Sequence, residues 1–247
     1  MVASNGAHAE IVSVPENLCA LCPEDVSPEE ACFTVVGSVA LQGIRLAKPE
    51  LGETFVVLGL GLVGQITTQL LLAQGVNVIG LDLSEDKVEL AKSYGADAYV
   101  PDDDIMAKVL SHKENGVDGV LITASTKSSE PLDLSAKLVR KRGRIILVGV
   151  ADIHLNRTDF FQKEITFQVS CSYGPGRYDR AFEEKGYDYP EAYVRWTAQR
   201  NFEAFLGVLA QKKIDLKPLM SRSISFADSP KLYEELLADR ESLGIVL

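Results

Sequence analysis

The 247-residue chain has no apolar run long enough to cross a bilayer as a helix. Its longest, from Thr54 to Leu62, is far short of the roughly 20 residues that a spanning helix needs. Residues 1–20 show no basic, apolar, cleavable leader pattern, so the expected compartment is the cytoplasm. Positive charge is also scarce. Lys and Arg number 25 against 35 Asp and Glu, for a formal net charge of −10, and a polyanion would have to bind a local patch against the overall field. Nucleic acid is excluded as an expected partner, and so is a membrane.

Metal-ligating residues are few. The only histidines are His8, His112 and His154, and the only cysteines are Cys19, Cys22, Cys32 and Cys171. Cys19 and Cys22 form a lone C-x-x-C with neither the second pair nor the histidines that a closed tetrahedral site needs. Small buried hydrophobes in a reducing compartment are the simpler reading of these cysteines.

Apolar residues make up 46% of the chain and charged residues 24%, as in an ordinary globular protein. Short β-branched runs alternate with longer stretches of helical spacing. "TFVVLG" (54–59) reads as a buried strand, and "LVGQITTQLLLAQG" (62–75) as a helix stopped by Gly75. "VNVIGLDL" (76–83) is a second strand, followed by a helix that Ser84 caps and Gly95 closes. Further strands are expected at "DAYV", "VDGVLIT", "RGRIILVGV" and "EITFQVS", with helices near 103–111 and 131–140. Such a series over 52–170 predicts an α/β doubly wound parallel sheet, the Rossmann arrangement, covered on both faces.

Gly59, Gly61 and Gly64 form G-x-G-x-x-G between a predicted strand and a predicted helix. There Gly59 makes the tight turn, Gly61 admits a pyrophosphate to the backbone, and Gly64 lets the helix pack closely. The free N–H groups of the helix starting at Leu62 and Val63 face the phosphates. Asp82 ends the second strand 18 positions after Gly64, where an acid accepts the ribose hydroxyls of an adenosine. A 2′-phosphate would meet that carboxylate as a like charge, and neither Leu83 nor Ser84 is an arginine that could receive it. NAD(H) is the expected cofactor.

On the segments "GAHAEIVSVPEN", "VVLGLGLVGQITTQLLLAQGVNVIGLDLSEDKVELAKSYGAD" and "GRIILVGV", the chain resembles the medium-chain dehydrogenase/reductase superfamily of zinc alcohol dehydrogenase-like proteins. The resemblance implies that Asp82, Leu83 and Lys87 flank the adenosine ribose, and that Thr123, Ala124, Val148 and Gly149 lie toward the nicotinamide. "SYGPGRYDRAFEEKGYDYPEAYVRWTAQRNFEAFL" is similar to the dehydrogenase-like half of bacterial two-domain oxidoreductases. Members of the superfamily begin with a long β-rich GroES-like catalytic domain, which this chain enters only at its last strands. Residues 1–46 and 219–247 are thus expected to be remnants of that domain around a nucleotide-binding domain at 47–218, with partner domains missing at either end. Short of partners, these remnants must either repack on the sheet or expose apolar edges. The family's later zinc-ligand position falls near Val35, where no ligand stands, and three ligands cannot be assembled. The expectation is zinc-independent hydride transfer on an alcohol or keto group of a small, sugar-like substrate, in a homodimer by resemblance. The alternative is a non-catalytic dinucleotide-binding module serving a partner domain.

Within 24 residues after the sixth strand stand Tyr173, Arg177, Tyr178, Arg180, Lys185, Tyr187, Tyr189, Tyr193, Arg195 and Trp196. Aromatic faces with guanidinium groups suit a sugar or an acid group on it. Tyr173 and Arg177, in the loop "SYGPGRYD", are the candidate substrate contacts. Tyr173 is also the one candidate proton donor, which must come within about 3 Å of the substrate oxygen; packing within the loop explains both residues equally well. Trp196, Phe202 and Phe205 share helical spacing and are expected in the core. "PDDDIMAK" reads as a helix start favoured by the helix dipole, and "RKRGR" (140–144) as a basic helix end closed by a glycine.

Overall fold

The expected alternation of strand and helix is present in a computed structural model, which describes every residue except Glu10, Leu237, Ala238, Arg240 and Glu241. In chain order the elements are β1 (Val2–Ser4), β2 (Cys19–Leu21), α1 (Pro28–Ala31), α2 (Thr34–Ala47), β3 (Thr54–Leu58), α3 (Leu62–Ala73), β4 (Asn77–Leu81) and α4 (Glu85–Ser93). They continue with β5 (Asp97–Tyr99), α5 (Ile105–His112), β6 (Val117–Ile122), α6 (Glu130–Leu138), β7 (Val139–Leu147), α7 (Arg157–Lys163) and β8 (Thr166–Val169). The chain closes with α8 (Arg180–Glu183), α9 (Ala198–Ala210), β9 (Met220–Ser223), α10 (Ser229–Leu236) and β10 (Gly244–Val246).

Six strands form one sheet in the order β5-β4-β3-β6-β7-β8, and every neighbouring pair is parallel. Two-residue periodicity explains the runs of apolar residues in its middle strands: successive side chains face opposite layers, and both layers are covered. Phe55 and Val57 of β3 join the core beneath α2, α3 and α9, whereas Val56 and Leu58 join the one beneath α5 and α6. All five residues of β3 are buried. The chain leaves β3 toward β4 and β5, then crosses back to β6 on the other side. Strand order thus reverses between β3 and β6, and ligands of open α/β sheets bind at such a point.

The outer segments stand apart from the main sheet. β1 pairs with β2 antiparallel, and β9 with β10 parallel, in two small separate sheets. Ala3, Leu18, Ala20, Phe33, Leu219 and Val246 repack into the core beneath α2 and α9. Ile11 and Leu21 stay exposed, at 91% and 80%.

Two local expectations are corrected. "RKRGR" does not end a helix: α6 stops at Leu138, and residues 139–147 are strand. Arg142 has φ +61°, and the β6–β7 register shifts at Val117/Gly119, the marks of a bulge. The bulged strand aims its cations at acids from two neighbours: Arg140 pairs with Asp118 at 2.7 Å, and Arg144 pairs with Glu53. Trp196 is likewise not part of the helical core. α9 begins only at Ala198 with Thr197 as its cap, leaving Trp196 half-buried in the preceding loop, while Phe202 and Phe205 are fully buried as expected. "PDDDIMAK" does open a helix, with Asp104 at the cap position and Asp102 accepting the Asp104 N–H at 3.1 Å.

Asp118 links three strands. It accepts the Thr54 N–H at 2.8 Å and the Arg140 Nε–H at 2.7 Å. Burial works against its charge, but these donors outweigh it and hold the carboxyl below its ordinary value. Asp118→Ala leaves the buried Thr54 N–H without its acceptor and removes the nearest carboxylate from Arg140, whose other acid, Glu53, stands 3.8 Å away, and should cost about 2 kcal/mol in urea unfolding. A depressed folded-state pKa stabilises above the unfolded value of about 3.9, and that share vanishes as pH falls through the folded pKa. The gap between wild type and variant should therefore close in acid. A second comparison tests the α2–α9 contact. A Cβ on Gly37 would lie 2.1 Å from the Phe205 ring, whereas one on Gly207 would meet nothing within 4 Å. Gly37→Ala should destabilise by about 1–3 kcal/mol, and Gly207→Ala should stabilise by about 0.5–1 kcal/mol.

Candidate functional site

At the carboxyl ends of β3 and β6 lies a cleft of about 610 Å³. Gly59, Gly61, Asp82, Leu83, Lys87, Thr123 and Ala124 line it, and the glycines explain how the backbone comes to be bare there. Gly59 has φ +97°, and a Cβ on it would sit 2.6 Å from the Ala124 nitrogen. A Cβ on Gly64 would lie 1.9 Å from the Gly59 carbonyl oxygen, so α3 abuts the turn directly. Gly61 differs: a Cβ there would meet nothing within 4 Å. Its bareness serves no contact within the chain and leaves open the approach to the end of α3. No side chain caps α3, so the N–H groups of its first turn, at Leu62, Val63 and Gly64, stay available at the positive end of the helix dipole.

Asp82 is held as a fixed acceptor. One carboxylate oxygen accepts the Leu60 N–H at 2.6 Å, and the other accepts the Ser84 N–H at 2.9 Å. Each oxygen keeps a lone pair for a further donor, such as a hydroxyl of a vicinal diol. Ser84 occupies the cap position of α4, but its side chain makes no capping bond; its N–H is the group that matters here. Lys87 sits one turn into the same helix, and its carbonyl accepts from the buried Gln65 of α3 at 2.8 Å.

On the β6 side, Thr123 and Ala124 both donate their N–H to the Leu58 carbonyl, at 2.9 and 3.0 Å. The Thr123 hydroxyl donates to the Gly59 carbonyl at 2.5 Å, bracing the glycine turn from across the switch point. Val148 and Gly149 follow β7 and donate to the Ile122 carbonyl at 2.8 and 2.9 Å. A Cβ on Gly149 would lie 2.1 Å from the Ala124 carbonyl oxygen, which puts these two turns in contact. Neither Val148 nor Gly149 lines the cleft itself. Pro101, Ser125, Thr126, Glu130, Pro131 and Leu134 do, and the sequence reading missed them. Ser125 and Thr126 directly continue "TA" after β6; the others enter through the ends of β5 and α6, which carry no motif.

Tyr173 and Arg177 lie apart from this cleft. The Tyr173 ring is only 4% exposed and packs against Phe202 with centroids 5.1 Å apart. Its hydroxyl accepts from Asn5 Nδ2 at 2.9 Å, and burial raises its pKa. Arg177 pairs with Glu183 and lies over the Tyr178 ring, 4.1 Å from its centroid. Both residues have packing partners that account for them, and neither is among the residues lining the cleft.

Among the described residues, no three His, Cys, Asp or Glu side chains come together in a way that could hold a metal ion. Thr34 and Val35 open α2, and neither is a metal ligand, while Cys32 lies exposed just ahead of that helix. The described residues thus bring together no set of three ligands for a catalytic zinc.

Residues 63–185 match the family model described as zinc-binding dehydrogenase. An alcohol dehydrogenase of Geobacillus stearothermophilus is 30% identical over 148 residues, which is 59% of this chain and 43% of that protein. The D-xylulose reductase of Saccharomyces cerevisiae is 27% identical over 221 residues, 86% of this chain and 55% of that protein. Among solved structures, galactitol-1-phosphate dehydrogenase from Escherichia coli superposes with a TM-score of 0.78 at 23% identity, covering 97% of this chain and 66% of that one. The chain thus spans about half the length of the curated relatives it matches. With the glycine turn, the switch-point cleft and the strand order already in place, these matches support the medium-chain dehydrogenase/reductase superfamily as the family this chain is similar to.

Proposed function

We propose that this chain is the nucleotide-binding part of an NAD(H)-dependent oxidoreductase that transfers hydride to or from an alcohol or keto group of a small, sugar-like substrate. One observation carries the reading: Asp82, fixed by two backbone N–H groups, stands beside an uncapped helix whose Gly61 faces open space. Diphosphate at the α3 mouth and ribose hydroxyls on Asp82 use every unusual feature of the cleft. The carboxylate repels a 2′-phosphate, and the exposed Leu83 offers it no cation, which favours NAD(H) over NADP(H). Thr123, Ala124, Val148 and Gly149 stand where the nicotinamide half would run. The bound nicotinamide would supply the hydride chemistry, while the chain's residues bind and orient it. The relatives' names, an alcohol dehydrogenase, a D-xylulose reductase and a galactitol-1-phosphate dehydrogenase, support an alcohol or polyol as substrate. Residues 1–46 and 219–247 are read as the ends of a catalytic domain around a nucleotide domain at 47–218. A homodimer in the cytoplasm is the assembly and compartment proposed. Among the described residues, no helix is long and apolar enough to cross a membrane.

A second reading is a dinucleotide-binding module without turnover of its own. It is favoured by the chain's spanning only 43% to 55% of the curated relatives above, and by the packed position of Tyr173 away from the cleft.

Calorimetry should show NADH binding at least about tenfold more tightly than NADPH, the scale of one lost charge-assisted contact. Failure to bind either dinucleotide overturns both readings. Binding without oxidation or reduction across a panel of polyols, aldoses, ketoses and uronates selects the second. Asp82→Ala should weaken NADH by about tenfold or more and erase the preference over NADPH. Gly61→Ala should keep the melting temperature of wild type, since its Cβ meets nothing in the chain, yet weaken NADH sharply by occupying the approach to α3. Unchanged NADH affinity in Gly61→Ala would contradict the diphosphate position.

A further inference from the structure

A second cavity, of about 640 Å³, opens where the carboxyl ends of α3 and α9 meet the segment that enters α1. Leu72, Leu209 and Ile214 give it an apolar wall. α9 ends at Ala210, and Lys212 then takes φ +53°, the left-handed conformation that turns a chain sharply after a helix. The segment after this turn is locked onto α3. Gln69, itself buried, donates to the Asp215 carbonyl at 2.9 Å and accepts the Asp215 N–H at 2.7 Å. A buried amide that spends both its ends on one residue fixes the backbone carrying Lys212, Lys213 and Lys217, and all three lysines line the cavity.

Acids reach the same cavity. Asp25 and Glu30 come from the segment entering α1, and Asp215 stands among the lysines. Among the described residues, none of these six side chains makes an ion pair, so opposite charges share one cavity without neutralising each other. A guest bearing one charge is attracted by one set and repelled by the other, whereas a guest bearing both gains from each. Tyr94, at the carboxyl end of α4, also lines the cavity. Burial and the nearby Asp215 push its pKa up to about 12, which keeps it a neutral O–H donor. That hydroxyl is buried and has no partner among the described residues, and an acceptor oxygen beside it would offset the cost of an unmet donor.

We propose that this cavity binds a small dipolar ion with an apolar body, of the chemical class of a free aliphatic amino acid. Its ammonium lies toward Asp25 and Glu30, its carboxylate toward Lys212, Lys213 and Lys217, and its side chain on Leu72, Leu209 and Ile214. The cavity has the size of a small-molecule site, typically about 300–1,000 Å³. It shares no residue with the dinucleotide cleft, and the proposal stands whether or not that cleft binds NAD(H).

Calorimetry with L-leucine should show saturable binding that NADH leaves unchanged. Isocaproate, which lacks the ammonium, and isopentylamine, which lacks the carboxylate, should each bind at least about tenfold more weakly. Asp25→Asn and the double variant Lys212→Gln, Lys213→Gln alter exposed side chains, so each should keep the melting temperature of wild type and weaken leucine by about tenfold. Tyr94→Phe removes only a hydroxyl without a partner in the chain; it should melt no lower than wild type and weaken leucine several-fold. Absence of saturable heat with leucine overturns the proposal, as does equal affinity for either single-charge analogue. Displacement of leucine by NADH places it in the dinucleotide cleft, and unchanged affinity in all three variants places it elsewhere on the chain; either result overturns the proposal.

Discussion

The architecture depends on a contact that no side chain could permit, the first turn of α3 resting on the backbone that leaves β3. The Gly59 carbonyl occupies the place where residue 64 would otherwise carry its Cβ. With the helix so close, the Thr123 hydroxyl reaches the same carbonyl from the far side of the switch point. Leu60 is carried to where its N–H meets Asp82. The cleft is thus a consequence of backbone proximity, and its polar groups are backbone N–H donors and one carboxylate that is itself held by backbone. Little conformational entropy remains to be lost there when a ligand binds.

Much of this was legible because the signals are local. A glycine triplet between a β-branched run and a helical pattern, with an acid at the end of the next strand, involves fewer than thirty consecutive residues. The physics that spaces them is short-range turn chemistry and helix packing. The central strands were legible for a related reason: burial on both faces keeps their later residues apolar, with polar side chains gathered toward their starting ends.

What escaped the reading depends on distant partners. "RKRGR" has the composition of a helix end, yet Asp118 and Glu53, from two other strand beginnings, draw Arg140 and Arg144 into a strand with a bulge. Trp196 has helical spacing from Phe202, yet two cations hold it in a loop. Tyr173 stands in a loop of glycines and proline that looks like ligand chemistry, and the side chain turns inward to Phe202 and Asn5. Asp118, Glu53, Arg45, Phe202 and Asn5 each lie more than twenty positions from the residue they hold, where periodicity carries no information.

Because all six strands of the main sheet run the same way, its two rims are chemically unlike. One rim is fastened by the Glu53, Asp118, Arg140 and Arg144 clasp, and the other presents the glycine turn and its acid. Cohesion and recognition are thereby consigned to opposite borders. Descendants of such a chain can remodel what the upper border grips while the lower one keeps the strands in register, a separation that lets a single scaffold serve many chemistries.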